Sequence, residues 1–130
     1  MCIFCEIIKG NIPSKKVYED DDVLAILDIS QTTLGHTLIM PKKHYDNILE
    51  MPADELSYLI IKAQEVAKKV VKKLDAKGFN LLVNTNEVAG QTVMHTHIHI
   101  IPRYDENDTV KFEFKENKFD LDEVLKRISN

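Results

Sequence analysis

Apolar residues recur along this chain in two rhythms. Over residues 51–74, Leu56, Leu59, Ile60, Ala63, Val66, Ala67, Val70, Val71 and Leu74 fall three or four apart, apart from adjacent pairs. That spacing lays one apolar stripe along one long helix. Pro52 is tolerated in its first turn, and Gly78 follows its end. Near the N-terminus Ile3, Phe4, Ile7 and Ile8 repeat the helical spacing over a shorter stretch that ends at Gly10, a cap residue. Shorter runs read as strands: 17–19, 23–28, 35–40 (stopped by Pro41), 79–84 and 94–101. Asp20-Asp21-Asp22 is a tight turn that makes the first two a hairpin, and 85–92 reads as a loop. Past Arg103 the composition turns polar. There Asp120-Leu-Asp-Glu123 resembles a capping box opening a short helix with Leu121, Val124, Leu125 and Ile128. This order predicts an α+β domain over residues 1–104, with a five-stranded antiparallel sheet, a short N-terminal helix and one long helix. Residues 105–130 form a C-terminal extension carrying the short helix.

Composition narrows the function classes. A chain of 130 residues has room for one sizeable core. With 44% hydrophobic and 29% charged residues it has the usage of a soluble globule, which excludes wholesale disorder, collagen and a coiled coil. No apolar run is long enough to span a bilayer, so no membrane partner is expected. Met1-Cys2-Ile3-Phe4-Cys5-Glu6 has neither a basic nor an apolar leader region, and the expected compartment is the cytoplasm, where thiols stay reduced. The net charge of −4 and pI of about 5.7 argue against general nucleic-acid binding, which needs a basic face. Anions must be handled by a few local donors.

The candidate chemistry sits mostly on histidine. His95-Thr96-His97-Ile98-His99 alternates three imidazoles along one strand, so all three point to one face with neighbours roughly 7 Å apart. A row of imidazoles on one face is costly unless it binds metal, anion or substrate. Two chemistries fit: a catalytic metal site, or nucleophilic catalysis by a neutral ring. His36 and His44 flank the run Thr37 to Lys43 and complete the chain's five histidines. Cys2-Ile3-Phe4-Cys5 is open to zinc, free thiols or redox chemistry. Asn84 with Gly90-Gln91-Thr92 offers amides, a hydroxyl and close backbone approach to a phosphate.

Together these segments resemble the histidine triad (HIT) family of nucleotidyl hydrolases and transferases. The likeness runs from about Cys2 to Arg103. It includes Ile3-Phe4-x-x-Ile7-Ile8 with Ile12-Pro13, the run Leu24 to Ile29, Gly35-His36-x-Leu38-Ile39-Met40-Pro41-Lys42-x-His44, and Asn84 through Gly90-Gln91-Thr92 to His95-x-His97-x-His99. The resemblance implies a HIT-like homodimer whose sheets join into one. It implies that His97 attacks the α-phosphorus of a purine nucleotide, forming a covalent nucleotidyl-histidine that water then hydrolyses. The far nitrogen of His97 would be held by a backbone carbonyl, that of His95. His99 and His36 would donate to phosphate oxygens, with further donors from Gln91 and Thr92, and no cofactor is needed for that step. Ile3, Phe4, Ile7, Ile26, Ile29 and Leu38 would surround the purine. Asp28 would accept from the ribose hydroxyls, with Asn84 and Gly90 near sugar and phosphate. Cys2, Cys5, His44 and His95 fit the structural zinc pattern of a bacterial branch, a closed Cys₂His₂ set. The implied substrate is a phosphoramidate such as an AMP–amine conjugate. Gly90-Gln91-Thr92-Val93-x-His95 and Ile101-Pro102-Arg103 recur also among dinucleoside polyphosphate hydrolases, while Lys42-x-His44 leans the other way. A nucleotide-binding scaffold with incidental activity is the third reading.

Overall fold

Two neighbouring runs, Val23–Leu27 and Thr37–Pro41, are apolar at nearly every position because both faces of the central strands are covered. A computed structural model describes residues 1–129. Its elements are α1 (Ile3–Ile8), β1 (Lys16–Glu19), β2 (Val23–Leu27), β3 (Thr37–Pro41), α2 (Ala53–Lys73), β4 (Gly78–Val83), β5 (Ile98–Arg103) and α3 (Leu121–Ser129), with 3₁₀ turns at Ile48–Glu50 and Glu87–Ala89. The five strands form one sheet in the order β1-β2-β3-β5-β4, and every pairing is antiparallel. The hairpin turn is built as its acidic run implies: Asp20 Oδ1 accepts the N–H groups of Asp22 and Val23, both at 2.8 Å.

Alternation splits the strands between two cores. Val23 and Ala25, Ile39, and Ile98 and Ile100 face α2, against Leu59, Ala63, Val66, Ala67 and Val70. Each large side chain of that set stabilises the fold by about 1.5–3 kcal/mol on burial. Leu24, Ile26, Leu38 and Met40 point to the opposite face and meet Phe4 and Ile7 of α1. His97 and His99 lie on this second side, with Leu38 directly opposite His99. One face of the sheet therefore holds the large core, and the other holds the imidazoles under a short helix.

Two expectations change. The apolar stripe of α2 is wider than its buried face: Ile60 and Leu74 are exposed, as is Ile61 beside them. The strand expected over 94–101 begins only at Ile98, so of the triad only His99 lies in the ladder. Pro41 explains the late start. It has no N–H to donate, and its carbonyl is taken by the His95 ring at 2.8 Å. The backbone before Ile98 turns instead, with the Thr96 N–H on Tyr45 O and the His95 N–H on Val93 O.

Candidate active site and metal centre

Four of the five histidines have one ring nitrogen committed to a partner of known polarity, which assigns their tautomers, and His99 follows through His36. His97 Nδ1 lies 2.7 Å from His95 O, and a carbonyl can only accept, so Nδ1 carries the proton. Nε2 of His97 is left with a lone pair. The ring is buried, and Phe4 packs edge-on against it at 5.0 Å between centroids. Burial outweighs the carbonyl contact and nearby Asp28 and lowers the pKa of His97, which keeps the ring neutral at neutral pH.

A chain of hydrogen bonds orients the next two rings. The Thr32 N–H points at His36 Nδ1 (3.4 Å), so His36 donates from Nε2. That nitrogen lies 2.9 Å from His99 Nδ1 and 3.7 Å from Asp28 Oδ2. His99 is thereby left with its proton on Nε2, beside His97 at 5.0 Å between ring centroids. Burial first, then His97 and His36, push His99 down to about 4, so it too is neutral at neutral pH. A lone pair on His97 next to an N–H on His99 is a nucleophile beside an anion donor. Asp28, His36 and His99 also cluster closely enough to suggest a metal. The 2.9 Å separation between the two imidazoles is that of a hydrogen bond, and it is shorter than the N···N edge of about 3.4 Å of a tetrahedral zinc.

The remaining two histidines meet the two cysteines. Sγ of Cys2 and Cys5 lie 3.4 and 3.6 Å from His95 Nδ1, Cys5 Sγ lies 3.4 Å from His44 Nδ1, and the two Nδ1 atoms are 3.2 Å apart. A tetrahedron with Zn–S of about 2.3 Å and Zn–N of about 2.0–2.1 Å has S···N edges near 3.5 Å and N···N edges near 3.4 Å. The outer nitrogens are held as metal-bound histidines require: His95 Nε2 donates to Pro41 O, and His44 Nε2 lies 2.7 Å from Asp46 Oδ1. Both Nδ1 lone pairs thus converge on one point, and the residues fit a tetrahedral ion. Burial pushes the Cys2 thiol up, but its bond from the Cys5 N–H and its neighbours Cys5 and His44 prevail and the net shift is downward. A thiolate is the form that ligates.

Residues 9–106 match the HIT domain. The chain belongs to the HIT family. An uncharacterized HIT-like protein of Methanocaldococcus jannaschii, MJ0866, is 54% identical over 129 residues, 98% of each chain. Adenylylsulfatase HINT3 of Arabidopsis thaliana is 46% identical over 102 residues, which is 78% of this chain and 52% of that protein. The crystal structure of a HIT family protein from Bacillus subtilis superposes with a TM-score of 0.91 at 42% identity, covering 98% of this chain and 94% of that one. A zinc-bound histidine triad family protein from Mycobacterium smegmatis gives a TM-score of 0.79 at 35% identity, covering 89% and 84%. The α+β reading and the HIT resemblance hold, and members of this family bind nucleotides.

Around this HIT-family site the other candidate residues divide. Phe4, Ile7, Ile26 and Leu38 are buried within the second core, whereas Ile3 is partly and Ile29 fully exposed at its margin. Asp28 is half-buried; its Oδ1 accepts the Ser30 N–H at 2.7 Å. Asn84 donates to Gly90 O at 3.3 Å, and Thr92 is exposed near His44. Gln91 is only 1% exposed, and its carboxamide is spent on backbone: Nε2 donates to Asp46 O (2.5 Å) and Val93 O (3.1 Å), and Oε1 accepts the Asn86 N–H (2.8 Å). Sequence reasoning missed Asp46, the carboxylate behind His44. The available signal was its position two residues after a candidate ligand, since ligating imidazoles pair with carboxylates.

Proposed function

We propose that this protein is a nucleotidyl hydrolase that cleaves purine nucleoside phosphoramidates, such as AMP–amine conjugates, through a covalent intermediate on His97. The observation that carries this reading is the His97 tautomer. With Nδ1–H bound to His95 O, the Nε2 lone pair is held ready beside the His99 donor. In the first step Nε2 forms a bond to the α-phosphorus as the P–N bond to the amine breaks, and the leaving nitrogen takes a proton from solvent; the water that attacks in the second step returns one to solvent. In the second step water attacks the same phosphorus, releasing the nucleoside monophosphate and restoring His97. His99 Nε2–H, oriented by His36, stabilises the charge that builds on the non-bridging oxygens. Phe4, Ile7, Ile26 and Leu38 back the purine, with Ile3 and Ile29 at the pocket mouth. Asp28 takes the ribose hydroxyls, and Asn84, Gly90 and Thr92 line the phosphate side, with Gln91 holding that loop. A relative bearing the name adenylylsulfatase acts, by that name, on an adenylyl conjugate, which is the same substrate class.

Zinc is proposed for Cys2, Cys5, His44 and His95. It closes a Cys₂His₂ set and supplies rigidity, since no open position remains for substrate. A homodimer is proposed through β4. This edge strand leaves its backbone free on one side, and Phe79 and Leu81 lie exposed beside Ile60 and Ile61 of α2 around a depression of about 380 Å³. Two copies meeting there would join their sheets.

The test is a substrate panel read as kcat/KM. AMP–amine conjugates should exceed dinucleoside polyphosphates by about tenfold or more, a difference of about 1.4 kcal/mol in the barrier. His97→Ala should lose turnover by roughly 10³-fold or more while mononucleotide affinity stays within about threefold. Preference for the polyphosphates would favour the second branch, and undiminished turnover in His97→Ala would discard the mechanism.

A further inference from the structure

The loop between β2 and β3 carries a residue of the site at each of its ends. Asp28 follows Leu27 and His36 precedes Thr37, and Leu27 opposite Thr37 is the last pair of that ladder. Beyond it the two backbones keep one ladder-like bond, from the Asp28 N–H to His36 O at 2.9 Å. The side chains of the same two residues meet again on the active-site face, His36 Nε2 lying 3.7 Å from Asp28 Oδ2. A strand end with so few bonds opens easily, because water competes for its backbone groups.

Gln31 supplies the missing rung. Its Nε2 donates one proton to Asp28 O at 2.5 Å and the other to His36 O at 2.8 Å, and its Oε1 accepts the Gly35 N–H at 2.7 Å. Both N–H groups and the oxygen of the carboxamide are spent on backbone at the two ends of its own loop. Packing does not account for this placement, since Gln31 is exposed, as are Ile29, Ser30 and Leu34 around it. The residue that follows, Thr32, aims its N–H at His36 Nδ1 (3.4 Å), the contact that leaves His36 donating to His99.

The tip of the loop is anchored separately. Thr33 OH donates to Pro102 O at 2.6 Å, Tyr104 OH to Leu34 O at 2.7 Å, and Thr109 OH to Thr32 O. These bonds tie the tip to the chain around the end of β5 and reach neither Asp28 nor His36. Among the described residues, no side chain other than Gln31 bonds to the backbone of both. It is therefore the link that passes the rigidity of the tip to the site.

We propose that Gln31 is a positioning residue for the nucleotidyl site, locking Asp28 and His36 in register so that the ribose acceptor and the histidine that orients His99 are held as one unit. It touches no substrate. The proposal rests on the nucleotidyl reading for what those two residues do, whereas the lock itself is read without substrate.

The experiment replaces Gln31 by Met, which keeps the length of the side chain and removes its three bonds. Long-range proton–nitrogen NMR spectra of the ligand-free protein report the ring tautomers. Wild type should show His36 and His99 each in one form, with the proton on Nε2. Gln31→Met should show mixed tautomers at both, while His97, held by His95 O, keeps its proton on Nδ1. In calorimetric titrations wild type should prefer AMP to 2′,3′-dideoxy-AMP by about tenfold or more, as a hydroxyl bonded to a carboxylate implies. In the variant that preference should fall to about threefold or less. The kcat on an AMP–amine conjugate should fall by about tenfold or more, with circular dichroism and melting confirming the fold. Single tautomers retained at His36 and His99 would overturn the proposal, and so would a preference for AMP equal in the two proteins. Neither of these readouts needs turnover. Failure of the nucleotidyl reading would appear separately, as wild-type protein that binds AMP and leaves the conjugate uncleaved.

Discussion

Gln91, expected from its motif to donate to substrate, is placed by its contacts as an anchor for its loop. Its three bonds to backbone groups hold the segment at Asp46, the one at Asn86 and the one at Val93 together. Asn86 has a φ of 73°, a left-handed conformation that a non-glycine residue keeps only when held. Replacing Gln91 by Ala removes all three bonds at a buried position. At about 1 kcal/mol for each, because water reaches the neighbouring Asn86 and Asp46, the loss is about 3 kcal/mol. With an unfolding entropy of roughly 2.1 cal/mol/K per residue, a chain of this length should melt about 11 °C lower. Gln91→Glu should be worse than Ala, because a carboxylate would face two carbonyl oxygens at a buried position. Differential scanning calorimetry gives the melting shift, and steady-state kinetics at 20 °C give kcat and KM. The anchor role predicts a large melting shift with kcat down by about tenfold or less. A shift under about 3 °C with kcat down more than about 10²-fold would refute the reasoning and make Gln91 a substrate donor.

Three further outcomes follow from the geometry. Gly35 has a φ of 90°, and a Cβ there would press on Leu74 Cδ1; since the Leu74 side chain can move aside, Gly35→Ala should cost about 1–2 kcal/mol from the backbone alone, and an unfolding midpoint equal to wild type would contradict this. His99, half-buried and facing His97, His36 and Asp28, has its pKa pushed down to about 4 from the 6.5 of an unfolded histidine, so the unfolded chain binds more protons between those values. Stability from this group is full above about pH 6.5 and is lost as pH falls toward 4; urea midpoints of His99→Asn should lose that part of the acid slope, and parallel profiles for the two proteins would contradict the assignment. Metal analysis of untagged protein should find about one zinc per chain, and Cys5→Ser should lose it and melt roughly 5–15 °C lower as α1 loosens its buried Phe4 and Ile7; equal metal and equal melting would remove the site.

Much of the fold was legible because its patterns are local. The stripe of α2 and the short apolar runs follow from the periods of helix and strand alone. That His97 and His99 lie on one side was also legible: they are two residues apart and their ring centroids stand 5.0 Å apart, although only His99 sits in a strand. The late start of β5 was not legible, since it depends on which carbonyl the His95 ring takes from Pro41, a contact 54 residues away in sequence. The exposed Ile60 and Ile61 were hidden for a similar reason. An apolar stripe reads the same whether a sheet of its own chain or a second protein covers part of it. The candidate site shows the same division. Four ligands of two types were visible in motifs, but the tautomers that make the histidine lone pairs converge depend on Pro41 O and Asp46. In a polar loop Gln91 looks like any donor, and only its burial reveals that its amide is already used.

The central claim is that Nε2 of His97 takes the nucleotidyl group. The most direct measurement is intact-protein mass spectrometry of His99→Ala, in which the intermediate should accumulate, after brief reaction with an AMP–amine conjugate and a quench in mild base. The account predicts a gain of one adenylyl group, lost in acid and mapped by peptide fragmentation to His97. Steady turnover with no adduct at any time, or an adduct on a different residue, would contradict it.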